Sequence, residues 1–269
     1  MLFSITYMVS YITRINYGAV ISEMVSSTGM SKSMLSMALT GSFITYGTGQ
    51  IISGICGDKF SPKRLVFYGL VVTVLMNLLI PLCNNAYQML AVWCINGFAQ
   101  AFMWPPLIKL MTALFSDEDY KRATLSASSA SSVGTIIVYL ISPLLIIAAG
   151  WKAVFWFSAI CGVIMIIFWN LRCPDVRDDA TYNNAVKTEN NNGNNIKTLI
   201  SPLIISVMLS IVLQGMLRDG VTTWMPSFIA ETYNFSNAIS ILTGVILPIF
   251  AIASLKMASV LYQRKFNNP

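Results

Sequence analysis

The sequence predicts an all-α polytopic membrane protein from its composition, its long apolar segments and the positions of its basic residues. Hydrophobic residues make up 55% of the 269-residue chain, charged residues make up 10%, and the mean hydropathy is +0.66. A soluble domain has a lower fraction of hydrophobic residues and a higher fraction of charged residues. Several apolar stretches reach the ~20 residues that a helix needs to cross the hydrocarbon core of a bilayer.

Eight spans account for these stretches, and a polar segment divides them into two groups. The first is too long for the apolar part of a signal peptide, so we interpret it as a retained span. We expect an N-terminal six-span bundle over 1–171, a cytosolic Asn-rich linker over 172–197, and an incomplete second bundle over 198–269. The predicted spans are 2–22, 34–56, 65–83, 87–114, 124–147, 152–171, 198–225 and 239–262.

The basic residues predict that the N-terminus is cytoplasmic. With that orientation, eleven lysines and arginines fall in inside segments and two, Lys32 and Lys152, in outside segments. Such an excess is the expected signature of cytoplasmic loops. The positive net charge is therefore a topology signal. The lipid bilayer is the expected partner, and nothing indicates nucleic-acid binding.

The titratable side chains indicate no enzyme, metal site or cofactor site. The chain contains no histidine, which excludes Ser-His-Asp and Cys-His catalysis and histidine-ligated metals. Its five cysteines lack the spacing of zinc or redox motifs. We predict no catalytic residue, no metal and no cofactor.

Polar residues share one face of the first predicted span. Tyr7, Tyr11 and Arg14 are spaced i, i+4, i+7, which stacks them on one side of a helix. Tyr46 and Gln50 are i, i+4 on the second span. A buried guanidinium costs roughly 2.5–3.5 kcal/mol on insertion scales, so a retained one indicates a cavity, a partner or a substrate. The alternative is that the tyrosines mark the membrane interface.

A second arginine lies in the seventh predicted span. Arg218 precedes Asp219, and adjacent helical residues point about 100° apart, so we do not expect these two to pair. Arg14 and Arg218 would then repel each other in an empty cavity, an arrangement that suits an anionic ligand between them. Asp219 is a candidate for proton coupling. The alternative is that it bonds locally.

Four sequence stretches carry a resemblance to a known family. They are "YITRINY" in span 1, "YGTGQIISGICGDKFSPKRLVFYGL" across spans 2 and 3, "NGFAQAFMWPPLIK" in span 4 and "LRDGVTTWMPSF" in span 7. In this order they resemble the major facilitator superfamily, and within it the organophosphate:inorganic phosphate antiporters. The resemblance implies alternating access and exchange of glycerol-3-phosphate or a sugar phosphate for phosphate.

The resemblance also implies roles for individual residues. Arg14 and Arg218 would clamp the phosphoryl group of the substrate, and Tyr7, Tyr11 and Tyr46 would line the same cavity.

Two positions depart from the family pattern. Gln50 replaces an expected lysine, and Ser131 stands where a histidine is expected. With two cationic or protonatable groups missing, a monoanion, a carboxylate or a less charged conjugate becomes a better candidate substrate. The serines of span 5 at small-xxx-small spacing are also typical of close helix packing.

The remaining motif residues are predicted to be structural or gating and not to touch substrate. Gly54 would permit close helix approach, and the Pro105-Pro106 pair would kink the fourth span. This group comprises Gly54, Asp58, Lys59, Lys63, Arg64, Trp104, Pro105 and Pro106.

Two other functions stay open. One is a proton-coupled symporter of an organic anion such as a carboxylate; the other is a membrane sensor that binds phosphate esters without moving them. The family implies twelve spans, so we expect spans 9–12 to be missing and the 269 residues alone to be inactive. The resemblance places the protein in a bacterial cytoplasmic membrane.

Overall fold

The computed structural model describes residues 1–174 and 202–265. Within them it has ten α-helices, and a short 3-10 turn, Ile80–Leu82, follows the third. The helices are α1 Leu2–Thr28, α2 Lys32–Lys59, α3 Pro62–Leu79, α4 Ala86–Gln100, α5 Trp104–Leu114, α6 Asp117–Ala149, α7 Lys152–Arg172, α8 Pro202–Tyr233, α9 Asn237–Thr243 and α10 Ile246–Lys265.

Polar caps set where several helices begin. The side chains of Ser31, Asn85 and Ser116 each accept a hydrogen bond from a backbone N–H in the first turn of α2, α4 and α6. The first turn of α6 is acidic, which complements the positive end of the helix dipole. At the other end of α1, Gly29 adopts φ 70°, a left-handed conformation that favours glycine.

Two predicted spans are broken helices. The fourth changes from α4 to α5 through a turn at residues 101–103, because Pro105 and Pro106 have no N–H for the carbonyls one turn earlier. The eighth was predicted as one helix over 239–262. It is interrupted between α9 and α10, where Pro248 offers no N–H to the carbonyl of Gly244.

Close packing joins α2 to α4 and α1 to α6. A Cβ added at Gly97 on α4 would lie 2.3 Å from the carbonyl oxygen of Ser42 on α2. One added at Gly134 on α6 would lie 2.4 Å from the carbonyl oxygen of Met8 on α1. Only a residue without a side chain fits such approaches.

An aromatic cluster fills the core beside α1. The Tyr17 ring centroid lies 4.9 Å from that of Trp93 and 6.1 Å from that of Phe155, and all three residues are buried. The Tyr17 hydroxyl donates a 3.2 Å hydrogen bond to the carbonyl of Leu35. These contacts tie α1 to α2, α4 and α7.

The helices before residue 174 and those after 202 meet at one end of the molecule. Asn237 donates a 2.8 Å hydrogen bond to Glu23, and Lys32 forms an ion pair with Glu231. Deeper along α1, a Cβ at Gly18 would lie 2.9 Å from the side chain of Thr223. We call this layer the closed end.

The surface is apolar, as lipid contact requires. Large hydrophobic side chains such as Ile147 and Leu171 are 77% and 75% exposed. Within the described part, four helical segments are long and apolar enough to cross a bilayer: Pro62–Leu82, Asp117–Ala149, Lys152–Arg172 and Asn237–Ala258. Residues 175–201, which include most of the predicted linker, and residues 266–269 lie outside the described part.

Candidate functional site

A cavity of about 960 Å³ lies between α1, α2, α6, α8 and α10. All seven residues predicted to bind substrate line it, although they come from four helices that are distant in sequence. They are Tyr7, Tyr11, Arg14, Tyr46, Gln50, Ser131 and Arg218. Further lining residues, which carry no motif in the sequence, include Phe43, Trp93, Gln214 and Phe250.

Arg14 enters this cavity among aromatic rings. Its guanidinium carbon lies 4.0 Å from the ring centroid of Tyr46 and 5.8 Å from that of Tyr11, and its side chain is 13% exposed. The electron-rich faces of the rings attract the cation and partly replace the water it has lost. The i, i+4, i+7 face predicted for α1 is therefore present.

Trp104 also forms part of the cavity wall. Its ring centroid lies 4.6 Å from that of Tyr7, whose centroid is 5.2 Å from that of Tyr11. Trp104 was expected to be structural or gating and not to touch substrate, yet it lines the candidate site. It begins α5 directly after the turn at residues 101–103, and that break in the span directs its ring to the cavity. The neighbouring proline pair was the only sequence signal for this.

Asp219 contacts both arginines. Its Oδ2 lies 3.3 Å from Nη2 of Arg14, and its Oδ1 accepts a 3.0 Å hydrogen bond from Nε of Arg218. The expectation that Arg218 and Asp219 do not pair is wrong, because the long arginine side chain curls back to its neighbour. The two arginines therefore have a counter-charge in the empty cavity, because α8 brings the carboxylate of Asp219 next to Arg14.

The serine-rich part of α6 serves both packing and the cavity. Ser128, Ser131, Ser132 and Thr135 line the cavity. The Ser131 hydroxyl donates a 2.7 Å hydrogen bond to the carbonyl of Ser128 within its own helix. Since α6 also packs tightly against α1 at Gly134, cavity lining and close packing occur in the same segment of one helix, and a contact of Ser131 with substrate stays a prediction.

The loop between α2 and α3 lies outside the cavity. Lys59 ends α2, and the carbonyl of Lys63 accepts a 3.1 Å hydrogen bond from the indole of Trp169; Arg64 is exposed on α3. The side chain of Asp58 lies outside the described residues.

Gly54 does not permit close helix approach here, contrary to the prediction. A Cβ added there would meet no atom of the described residues within 4 Å. The tight contact of α2 lies more than one turn earlier, where a Cβ at Gly49 would be 2.7 Å from Cβ of Ala101.

A buried polar network lies on the side of α1 that faces away from the cavity. Asn16 donates to the side-chain oxygens of Asn77 at 2.7 Å and Ser158 at 2.9 Å. Asn77 and Gln100 donate to the carbonyl and the hydroxyl of Thr13 at 3.1 and 2.9 Å. The network holds the backbone on both sides of Arg14, and sequence reasoning did not identify it.

Comparison with protein families and curated proteins gives a consistent assignment. The family model described as Major Facilitator Superfamily matches residues 3–268. A probable hexose phosphate transport protein of Chlamydia muridarum is 26% identical over 159 residues, covering 59% of this chain and 35% of that protein. Membrane sensor protein UhpC of Salmonella typhimurium (25% identical) and a glycerol-3-phosphate transporter of Bacillus subtilis (24%) each match 84% of this chain and 55% of their own length. The chain thus spans between about a third and about half of these relatives.

Solved structures show the same fold. A bacterial homologue of the human lysosomal transporter Spinster, in an inward-facing and occupied conformation, aligns over 98% of this chain and 60% of its own. Its TM-score is 0.78 at 13% identity. A D-xylose–proton symporter aligns over 98% of this chain and 68% of its own, with a TM-score of 0.69 at 13% identity. The family match over residues 3–268 shows that the chain belongs to the Major Facilitator Superfamily, and together with the apolar surface of its helices it shows an integral membrane protein.

Proposed function

We propose that this chain carries the binding site of a secondary transporter for an organic anion, namely an organophosphate such as glycerol-3-phosphate or a sugar phosphate. The observation that carries the proposal is that Arg14 and Arg218 reach one cavity from helices on either side of the long polar segment. Arginine stays charged and binds phosphate oxygens through a planar fork. The curated relatives named as phosphate-ester transporters support this substrate class.

The proposed mechanism is alternating access with exchange for phosphate. The contacts at the closed end seal the two groups of helices on one side, and the cavity lies on the other side of that layer. Rocking of one bundle against the other would open this layer and expose Arg14 and Arg218 to the opposite side. Because Lys32 of the closed end falls in a segment predicted to lie outside the cell, the closed end would be the outer gate.

The organisation and placement of the chain are part of the same proposal. Residues 1–171 form a six-span N-terminal bundle, 172–197 a cytosolic linker, and 198–269 the first two spans of a second bundle. The N-terminus is cytoplasmic and the membrane is a bacterial inner membrane. The distribution of basic residues supports the orientation.

Ligand binding tests the proposal directly. The purified chain in lipid nanodiscs is titrated with glycerol-3-phosphate by calorimetry, and we expect Arg14→Lys to weaken binding about tenfold or more, because lysine cannot bind two phosphate oxygens in one plane. Arg122→Lys is the matched control, since Arg122 is exposed on α6 and 4.0 Å from Glu118. Equal affinity of Arg14→Lys and wild type would refute the phosphoryl clamp.

A sensor that binds phosphate esters without transporting them is the second candidate. It is favoured by the similarity to proteins named membrane sensor protein UhpC. In reconstituted vesicles loaded with phosphate, counterflow of labelled glycerol-3-phosphate supports a transporter. Binding without flux supports a sensor only in a protein whose second bundle is complete.

The position of Asp219 favours a third candidate, proton-coupled symport, because its carboxylate lies at the binding site. Uptake driven by an imposed pH gradient and lost in Asp219→Asn would favour this mechanism over exchange.

A further inference from the structure

The charged groups of the cavity do not form a simple cationic clamp. Among the described residues that line it, the charged side chains are Arg14, Arg218 and Asp219. The formal charge of the lining is therefore +1 and not +2. The other polar groups, such as Gln50 and Ser131, are neutral.

The carboxylate of Asp219 occupies the positions where an anion would meet the arginines. Each of its oxygens contacts one arginine: Oδ2 lies 3.3 Å from Nη2 of Arg14, and Oδ1 lies 3.0 Å from Nε of Arg218. A ligand phosphoryl group must either displace this carboxylate or share the arginines with it. In both cases the negative charge of Asp219 stays close to the ligand, because Asp219 is fixed on α8 beside Arg218.

Among the described residues that line the cavity, no other side chain carries a charge. Asp219 and its partners face Tyr7 and Tyr11 from α1 and Tyr46 from α2. The Asp219 side chain is only 30% exposed, so bulk water screens it weakly. An extra negative charge on the ligand would therefore act against Asp219 at short range.

We infer that Asp219 is a specificity-determining residue that sets the charge of the ligand, so that the site takes a monoanion in preference to a dianion. The inference rests on the proposed function and narrows it. The substrate class is an organophosphate in its singly charged form, such as a phosphodiester or a protonated phosphate monoester. One negative charge matches the +1 of the described lining, whereas a second would lie close to the carboxylate of Asp219 with no further cation among the described lining residues.

Two ligands of different titration behaviour test this. A phosphodiester such as glycerophosphoglycerol carries one negative charge throughout the accessible pH range. Glycerol-3-phosphate loses its second proton near pH ~6 and is mainly a dianion above it. For the wild-type chain in nanodiscs, we expect the affinity for glycerol-3-phosphate to fall roughly twentyfold from pH 5.5 to 7.5, in proportion to the monoanion fraction. The affinity for the diester should stay constant.

Variants of Asp219 link the effect to this carboxylate. Asp219→Asn raises the formal charge of the lining to +2. The affinity for glycerol-3-phosphate at pH 7.5 should therefore rise, and the pH dependence of that affinity should become smaller. Asp219→Glu keeps the charge and should keep the wild-type pH dependence, which guards against a general loss of fold. Glu118→Gln is the matched control, because this carboxylate is exposed on α6 and pairs with Arg122 outside the cavity.

The outcomes separate this inference from the proposed function. If wild type and Asp219→Asn bind glycerol-3-phosphate with the same pH dependence, Asp219 does not select ligand charge, although the cavity still binds phosphate esters. If the wild-type chain binds neither ligand at either pH, the proposed function is wrong and this inference falls with it.

Discussion

The hydroxyl of Tyr139 donates a 2.6 Å hydrogen bond to the backbone carbonyl of Thr222, and so joins α6 to α8 beside the cavity. In a regular helix that carbonyl would accept from the N–H four residues later. The residue at that place is Pro226, which has no N–H. A side chain from one half of the molecule therefore supplies the donor that the proline removes from the other.

The first prediction concerns this bond. We expect Tyr139→Phe to lower the free energy of unfolding by about 1–3 kcal/mol, because it leaves the carbonyl of Thr222 without its donor. The measurement is unfolding of the purified chain in detergent. Tyr68→Phe, at a residue that is 63% exposed, is the control and should have little effect.

A second substitution checks the cause. In a Pro226→Ala background the helix regains an N–H that can bond the carbonyl of Thr222. The loss in free energy of unfolding caused by Tyr139→Phe should therefore be smaller. An equal cost in both backgrounds would mean that Tyr139 stabilises the protein through packing, for example against Gly244, and not through this bond.

The second prediction compares two glycines. Gly97→Ala should destabilise the protein by about 1–3 kcal/mol, since the new Cβ would lie 2.3 Å from the carbonyl oxygen of Ser42 and would force α4 away from α2. Gly54→Ala should be neutral or stabilising, because no atom lies within 4 Å and alanine favours helix. Thermal unfolding of the two variants under identical detergent conditions measures the difference. A loss of stability at both positions would mean that Gly54 is needed for another conformation.

The third prediction concerns the network behind Arg14. Asn77→Ala removes the acceptor of Asn16 and a donor to the carbonyl of Thr13, all buried. We expect it to lower the free energy of unfolding by about 1–3 kcal/mol, because unpaired polar groups in this core are not rehydrated. Asn84→Ala, at an exposed position before α4, is the matched control. Similar unfolding curves for both variants would show that the network contributes little.

The same variant separates folding from binding. Because Asn16 and Thr13 flank Arg14 without entering the cavity, ligand affinity should fall in Asn77→Ala only through displacement of α1. Unchanged affinity with reduced stability would mean that the network supports the fold and does not position the arginine.

Much of the candidate site was predictable because it depends on local geometry. Tyr7, Tyr11 and Arg14 share a face through helical periodicity alone, whatever packs against them. The same regularity placed Tyr46 and Gln50 together on α2. The proline pair predicted a break in the fourth span. It did not predict that the break would direct the Trp104 ring toward the cavity.

Some contacts were not predictable, since they depend on helices that meet only in the folded chain. Adjacent positions on α8 indicated that Arg218 and Asp219 would point apart, yet the flexible side chains meet, and Asp219 also reaches Arg14 across 205 positions of sequence. Likewise, a glycine in a motif does not reveal whether another helix crosses at that point. In the described part of the chain, a Cβ at Gly54 would meet no atom within 4 Å, whereas one at Gly97 would lie against α2.

The sequence by itself determined that this protein is a bundle of apolar helices with two arginines at membrane depth, because hydropathy and helical periodicity are properties of continuous segments. Only the tertiary structure decided what stands between those arginines. The packing of α8 against α1 brings the carboxylate of Asp219 to both of them, and the resulting charge of the cavity follows from that contact.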